Sequence, residues 1–152
     1  MNKAIEGYTP DQYIPALISI ASSNRSKKVR MRSAYWLSGF YTDNGNKGYL
    51  HIDSLEENLD ILLSTLHETS TSRAVIAILG GRNSGASYVP CYMSDISQEK
   101  IIAALVDRKM FIQKAKENHP SEEIKWNNDW NYEFNELNSA IRATESCNLK
   151  NL

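Results

Sequence analysis

Apolar residues recur at helical spacing along most of the chain, beginning with residues 9–21. Thr9-Pro10-Asp11-Gln12 predicts a helix start, because a Thr N-cap with Gln three residues later forms a capping box and proline suits the first helical position. Pro15 follows closely, so the helix either kinks there or begins there. The apolar face of this first helix is predicted to be Ile14, Leu17, Ile18 and Ala21.

The middle of the chain predicts further helices separated by polar turns. A second helix covers residues 27–40, and a loop rich in Asp, Asn and Gly follows at 41–49. A third helix is predicted to open at Asp53 or Ser54, with leucines at helical spacing up to Leu66. Thr69-Ser70-Thr71-Ser72 is expected to break it before the apolar segment 73–79.

The C-terminal third predicts a helix-like segment at 87–96, a helix at 98–118 and a last helix at 121–146. The last helix carries a stripe at spacings of 4, 4, 3 and 4, made of Trp126, Trp130, Phe134, Leu137 and Ile141. A hairpin turning at Asn127-Asn128-Asp129 is the alternative, because Trp130, Tyr132 and Phe134 also alternate. The length and the helical period favour the helix.

Two segments that lie 75 residues apart resemble each other: Tyr13-Ile14-Pro15-Ala16-Leu17 and Tyr88-Val89-Pro90-Cys91-Tyr92. The sequence resembles degenerate HEAT-type repeats over 9–40, 53–80 and 86–118. The resemblance also rests on Val29-Arg30 and Ala34, in the helix after the first segment, and on Ser72-Arg73-Ala74 in the middle of the chain. The middle unit lacks the proline and the third lacks the arginine. The resemblance implies an all-α fold: one domain over 1–152, a short right-handed solenoid of about three helical hairpins, capped by helix 121–146.

Composition narrows the function classes. Seventeen basic and eighteen acidic residues give a net charge of −1, which argues against a dedicated polyanion binder. The N-terminal residues lack a signal-peptide pattern, and the longest apolar run, 74–79, is too short to cross a membrane. Cys91 and Cys147 are expected to be free thiols in a reducing compartment, with one disulfide as the alternative. The expected location is therefore cytoplasmic.

Motifs for catalysis are weak. Residues 80–85, Gly-Gly-Arg-Asn-Ser-Gly, could hold a phosphate beside Arg82, but they lack nucleotide-loop spacing, and a helix end with Gly80 just past it is favoured. His51 with Asp53 could serve acid–base or metal chemistry, yet no second histidine lies near. Cys91 is not paired with a base in any known nucleophile pattern. We therefore expect a protein that is not an enzyme and has no cofactor or metal.

Charge is distributed unevenly along the chain. Five basic residues fall within 25–32 (Arg25, Lys27, Lys28, Arg30 and Arg32), and Tyr35 and Trp36 beyond them are expected to point inward. Acidic residues dominate 53–68 and 117–145. We expect an acidic, partly aromatic surface for a basic protein partner, made of Asp53, Glu56, Glu57, Asp60, Glu122, Glu123, Trp126, Asp129, Trp130, Tyr132, Glu133 and Glu136.

Size, degenerate repeats and acidic patches together resemble bacterial immunity proteins, such as those of contact-dependent growth inhibition systems. The resemblance implies a protein-binding module that covers the active-site cleft of a cognate toxin such as a nuclease, without membrane or nucleic acid as a partner. The alternative is a helical-repeat protein that binds nucleic acid through Arg25 to Arg32. A small nucleotide-binding enzyme using the loop 80–85 is a third hypothesis.

Overall fold

The structure is a computed structural model that describes residues 7–42, 48–80, 89–118 and 120–147, without the side chains of 48, 49 and 120–129. Within these ranges no residue lies in a β-strand, and the all-α prediction is confirmed. Three short 3-10 turns occupy Gly48–His51, Thr65–His67 and Val89–Tyr92. The α-helices are α1 (Pro10–Ala21), α2 (Lys27–Thr42), α3 (Ile52–Glu57), α4 (Leu59–Ser64), α5 (Thr69–Ile78), α6 (Asp95–Asn118) and α7 (Pro120–Glu145).

The helices pack in two rows. Five residues connect α1 to α2, which pack on each other, and α6 packs on α7 across a single intervening residue. Along one row, α1 contacts α3 and α4, and α4 contacts α6; along the other, α2 packs on α5 and α5 on α7. Residues 95–147 therefore supply one long pair of helices, in which α7 is the partner of α6.

The start of α1 is confirmed at Thr9-Pro10. The Thr9 backbone N–H donates to the Gln12 side-chain oxygen at 2.9 Å, which is one half of the predicted capping box. Pro15 lies inside the helix, which begins at Pro10 and continues past it. The interior proline removes one backbone hydrogen bond without ending the segment, because Ile14 and Ile18 are held in the core.

Three predicted boundaries in the middle of the chain are wrong. The third helix is broken at Asn58 into α3 and α4, and it begins at Ile52 without a side-chain cap from Ser54. Ser54 is buried and donates to Asp11 Oδ1 at 2.7 Å instead. Residues 69–72 start α5, because the Thr71 hydroxyl bonds to the Thr65 carbonyl at 2.7 Å and ties this polar segment to the preceding turn.

Two expectations for the C-terminal third also change. The helix-like segment expected at 87–96 is a 3-10 turn over Val89–Tyr92, and α6 begins at Asp95. Residues 81–88, with most of the loop 80–85 and with Tyr88, lie outside the described residues. The hairpin alternative for the last segment is wrong, since α7 is a single helix over Pro120–Glu145.

In the described residues the core is continuous and is built from the apolar faces of the helices α1 to α7. Leu62 and Leu105 are fully buried, as their helical register predicts. Gly80 lies just past α5 with φ +104°, which agrees with the predicted helix end. A Cβ at Gly80 would come within 3.0 Å of the Ala143 Cβ, so this glycine also permits the close approach of α5 and α7.

Cys91 and Cys147 form a disulfide, with Cα atoms 5.0 Å apart. The expectation of free thiols is therefore wrong. The bond joins the turn before α6 to the end of α7 and closes 56 residues of chain. The sequence could not decide this, because the two cysteines become neighbours only once α6 and α7 pack on each other. None of the described helices is both long enough and apolar enough to span a membrane.

Candidate functional site

The acidic surface expected on the last helix is not assembled as predicted. Glu133 is 1% exposed and Glu136 is also buried, so neither carboxylate is available to a partner at the surface. Trp130 packs partly into the core, whereas Tyr132 is exposed beneath the Arg73 guanidinium, 4.5 Å from its ring centroid. The side chains of Glu122, Glu123, Trp126 and Asp129 lie outside the described residues.

Glu133 is buried because it is the counterion of Arg108 on α6. Arg108 Nε donates to Glu133 Oε1 at 2.9 Å and Nη2 donates to Oε2 at 3.3 Å. Ser72 on α5 donates to Oε1 at 2.8 Å, so three helices meet at one carboxylate. In the described part of the chain Nη1 of Arg108 finds no hydrogen-bond acceptor. The network is therefore structural, and it withdraws both charges from the surface.

The acidic residues of α3 and α4 do remain near the surface. Asp53, Glu57 and Asp60 are exposed, and Asp60 accepts a hydrogen bond from Lys100 Nζ at 3.2 Å. Glu56 is half-buried and accepts 2.8 Å and 3.1 Å bonds from the backbone and hydroxyl of Ser94. Partial burial raises the pKa of Glu56, but hydrogen bonds from Ser97 and Ser94 outweigh it and lower the pKa overall.

His51, the candidate acid–base or metal-binding residue, makes contacts that belong to the packing of the fold. His51 lies with Nδ1 3.4 Å from Asp11 Oδ1, and its ring packs near Phe40. A hydrogen bond from Ser54 and a second from His51 lower the pKa of Asp11. Asp53, the expected partner of His51, is exposed on α3. Among the described residues no group of three or more His, Cys, Asp or Glu side chains could hold a metal ion.

A concave surface lies between α1 and α2. It is an apolar groove of about 250 Å³, which we call the α1–α2 groove. Ser33, a small and buried residue, lines the groove and donates to the Leu17 carbonyl at 2.8 Å, which draws the two helices together. The lining is mostly aliphatic and aromatic with two cations: Leu17, Ile20, Lys28, Val29, Arg32, Ser33 and Trp36.

Tyr35 and Trp36 do not point inward as expected. Tyr35 is 66% exposed and Trp36 is 37% exposed, because the buried face of α2 is formed by Ser33, Ala34, Leu37, Ser38 and Tyr41. The helix turns about 100° per residue, so this register places Trp36 beside the groove. The basic segment is thus followed, within one helical turn of Arg32, by two exposed aromatic side chains, contrary to the prediction.

The five basic residues of 25–32 have different environments. Arg30 is held in a bidentate ion pair with Glu68, in which Nε lies 3.0 Å from Oε2 and Nη2 bonds to Oε1. Its Nη1 also donates to the Arg25 carbonyl. Arg25, Lys27, Lys28 and Arg32 are exposed. Lys28 and Arg32 are one helical turn apart at the groove, which makes them the cations that a ligand in the groove would meet.

Sequence reasoning missed both the α1–α2 groove and the buried pair, although part of the signal was present. Arg108 falls into the apolar register of α6 at Ile101, Leu105 and Ile112. A charge in that register predicts a buried counterion, but the sequence does not name it. No pattern in the sequence indicates the α1–α2 groove, because the groove depends on how α1 crosses α2.

Comparisons of this chain with protein-family models, with curated proteins and with solved structures find no match.

Proposed function

We propose that this protein is a non-enzymatic protein-binding module and that the α1–α2 groove is its main contact surface. The observation that carries the proposal is the position of Trp36 beside an apolar groove with Lys28 and Arg32 along it. Tryptophan and arginine are the residues that most often dominate binding energy at protein interfaces, particularly where they line a pocket. Binding sites typically combine an apolar cavity with a few charged groups that orient the ligand.

The lining defines the chemistry of the partner. Leu17, Ile20 and Val29 favour aliphatic side chains, while Lys28 and Arg32 favour carboxylates. The partner segment is therefore an acidic one that carries exposed aliphatic residues. Its charge is opposite to that of the partner predicted from the sequence, because the groove is lined by the cations Lys28 and Arg32 rather than by acidic residues. The acidic surface of that prediction also loses Glu133 and Glu136 to burial.

A nucleic-acid strand is the second candidate ligand for the same surface. The exposure of Tyr35 next to Arg32 favours it, since bases stack on aromatic rings and phosphates pair with arginine. Two features favour a protein instead. The groove is mainly apolar, and Arg30, one of the five basic residues, is neutralised by Glu68.

Within the protein-binding class we propose an immunity protein that neutralises a cognate toxin by covering it. The two rows of packed helices support the proposal of a short, right-handed HEAT-like solenoid, an architecture that offers extended contact surfaces. The Cys91–Cys147 bond removes free thiols, which were one of the reasons for the expected cytoplasmic location. Disulfides persist mainly in oxidising compartments, so the Cys91–Cys147 bond favours such a compartment as the place of action.

Peptide titration followed by NMR tests the groove and its ligand. The probes are a short peptide with two leucines one helical turn apart between glutamates, the same peptide with lysines for glutamates, and single-stranded oligothymidylate. We expect the acidic peptide alone to shift the resonances of Leu17, Ile20 and Trp36. Shifts caused by the oligonucleotide and not by the peptide would support the second candidate, and shifts caused by the basic peptide would refute the proposed charge preference.

A variant pair tests which surface binds the peptide. Trp36→Ala removes the aromatic side chain at the groove, and Tyr132→Ala removes an aromatic side chain of similar exposure on the α7 surface that the sequence favoured. We expect Trp36→Ala to weaken binding about tenfold or more and Tyr132→Ala to leave it unchanged. The opposite result would assign binding to α7 and would contradict the proposal.

Growth rescue tests the immunity function itself. The protein and the C-terminal domain encoded by the gene immediately upstream are both exported to the bacterial periplasm, where the disulfide persists, and colony formation is measured. We expect rescue by the wild type and by Tyr132→Ala, and loss of rescue by Arg32→Glu, because reversal of this charge repels an acidic partner. An upstream product that is harmless to cells, or rescue by Arg32→Glu equal to the wild type, would contradict the proposal.

A further inference from the structure

The helix α6 carries apolar residues on two opposite faces. One face, with Ile101, Leu105 and Ile112, is fully buried in the core. The other is exposed in the described part of the chain and is centred on Ala103, with Ile96 seven residues before it and Met110 seven residues after it. Ile96 is 69% exposed and Met110 is 50% exposed. Seven residues are two helical turns, so these three side chains form one stripe.

Charged residues border the stripe with opposite signs on the two sides of Ala103. Lys100 lies three residues before it and Asp107 four residues after it, and both are exposed. At 100° per residue, both project from the same edge of the stripe. The apolar residues Ile96 and Met110 therefore lie at equal distances on the two sides of Ala103, whereas the bordering charge is positive on one side and negative on the other.

We propose that this stripe is a homodimer interface in which α6 of two copies pack antiparallel about a two-fold axis at Ala103. In this register Ile96 of each copy faces Met110 of the other, because both lie about 10 Å from the axis along the helix. Measured along the helix axis, Lys100 of each copy lies within about 1.5 Å of the position of Asp107 of the other. Ala103 permits the short interhelical distance of about 8 Å. Charge complementarity thus selects a second copy of this chain.

The remaining charges on this face are compatible with the pairing. Lys100 contacts Asp60 within its own chain, but both side chains are largely exposed, so exchanging Asp60 for Asp107 of the second copy costs little. Glu99 lies at the opposite edge of the stripe, next to Val106, and remains in solvent. Lys114 lies on the stripe itself, but in this register it falls beyond the start of α6 of the second copy and also remains in solvent. One helix face buries less area than a standard stable interface, so the dimer is a weak one that forms as the protein concentration rises.

Sedimentation velocity of the oxidised protein over a range of concentrations tests the dimer. We expect the weight-average mass to rise from 17.2 kDa toward twice that value as concentration increases. Ala103→Arg should abolish the rise, whereas Ala16→Arg, at an exposed alanine on α1, should leave it unchanged. A monomer at all concentrations, or a dimer insensitive to Ala103→Arg, would overturn the proposal.

Charge exchange tests the register without relying on one disruptive substitution. Lys100→Glu and Asp107→Lys should each abolish dimerisation, because each places like charges opposite one another across the interface. The double variant Lys100→Glu/Asp107→Lys should restore it to within about threefold of the wild type. Circular dichroism confirms that each variant is folded. Loss of the dimer in folded single variants without restoration in the double variant would refute the antiparallel register.

Discussion

Removing one partner of the Arg108–Glu133 pair should destabilise the protein far more than removing a surface ion pair. The two side chains are 1% and 2% exposed, and two nitrogen–oxygen contacts of 2.9 and 3.3 Å join them. Arg108→Met leaves the Glu133 carboxylate buried without its cation, which we expect to cost about 3–5 kcal/mol. Ser72 still donates to that carboxylate, so some stabilisation is retained. Since the free energy of unfolding of a domain of this size is about 5–15 kcal/mol, the substitution removes a large fraction of the total stability.

Urea unfolding followed by circular dichroism measures this effect. Asp60→Asn is the control, because it removes an exposed ion pair with Lys100 and should cost less than about 1 kcal/mol. Replacing both buried partners, Arg108→Met with Glu133→Leu, should return the stability to within about 1 kcal/mol of the wild type or above it, because neither charge then remains buried. If Arg108→Met costs no more than Asp60→Asn, or if the double variant is as unstable as the two single effects combined, the buried pair does not exist as described.

Three further predictions concern stability. Leu62→Ala and Leu105→Ala should each cost about 2–5 kcal/mol in urea unfolding, because both side chains are fully buried; effects near zero would contradict the helix faces. Replacing Cys91 and Cys147 with alanine should lower the free energy of unfolding by about 4 kcal/mol, since the bond closes 56 residues of chain; an unchanged denaturation midpoint in the wild type after reduction would argue against the bond. The pKa of Glu56 in the folded protein lies below its ordinary 4.5. Its carboxylate therefore stabilises the fold above pH 4.5, and this stabilisation is lost as the pH falls below that value. Glu56→Gln should make the dependence of stability on acid pH less steep, and a pH profile identical to that of the wild type would refute the role of its hydrogen bonds.

The candidate site shows where sequence reasoning stopped being sufficient. The basic segment 25–32 was visible as a charge cluster, but whether it could bind anything depended on the orientation of Tyr35 and Trp36. Helical periodicity alone allowed either face of α2 to be buried, since apolar residues occur around most of the helix. The packing of α2 on both α1 and α5 selects the face with Leu37, and this choice exposes the aromatic residues.

The acidic residues show the opposite case, in which a side chain expected at the surface is buried. A cluster of like charges in sequence predicts a solvated face, and Asp53, Glu57 and Asp60 follow that rule. Glu133 departs from it because α6 places a guanidinium against it, and a paired charge can be buried where a lone one cannot. Counting charges along the chain therefore overestimated the acidic surface on α7.

The local pattern of the sequence determined that this chain is helical, where α1 begins and that the last segment is one helix, because capping residues and helical periodicity act over only a few residues. Tertiary packing decided everything that depends on residues distant in the chain: the disulfide between Cys91 and Cys147, the burial of Arg108 with Glu133, and the groove between α1 and α2. Each of these arises only when helices meet, and the free energy of a buried charge or an apolar groove depends on the neighbour that covers it rather than on the residue itself.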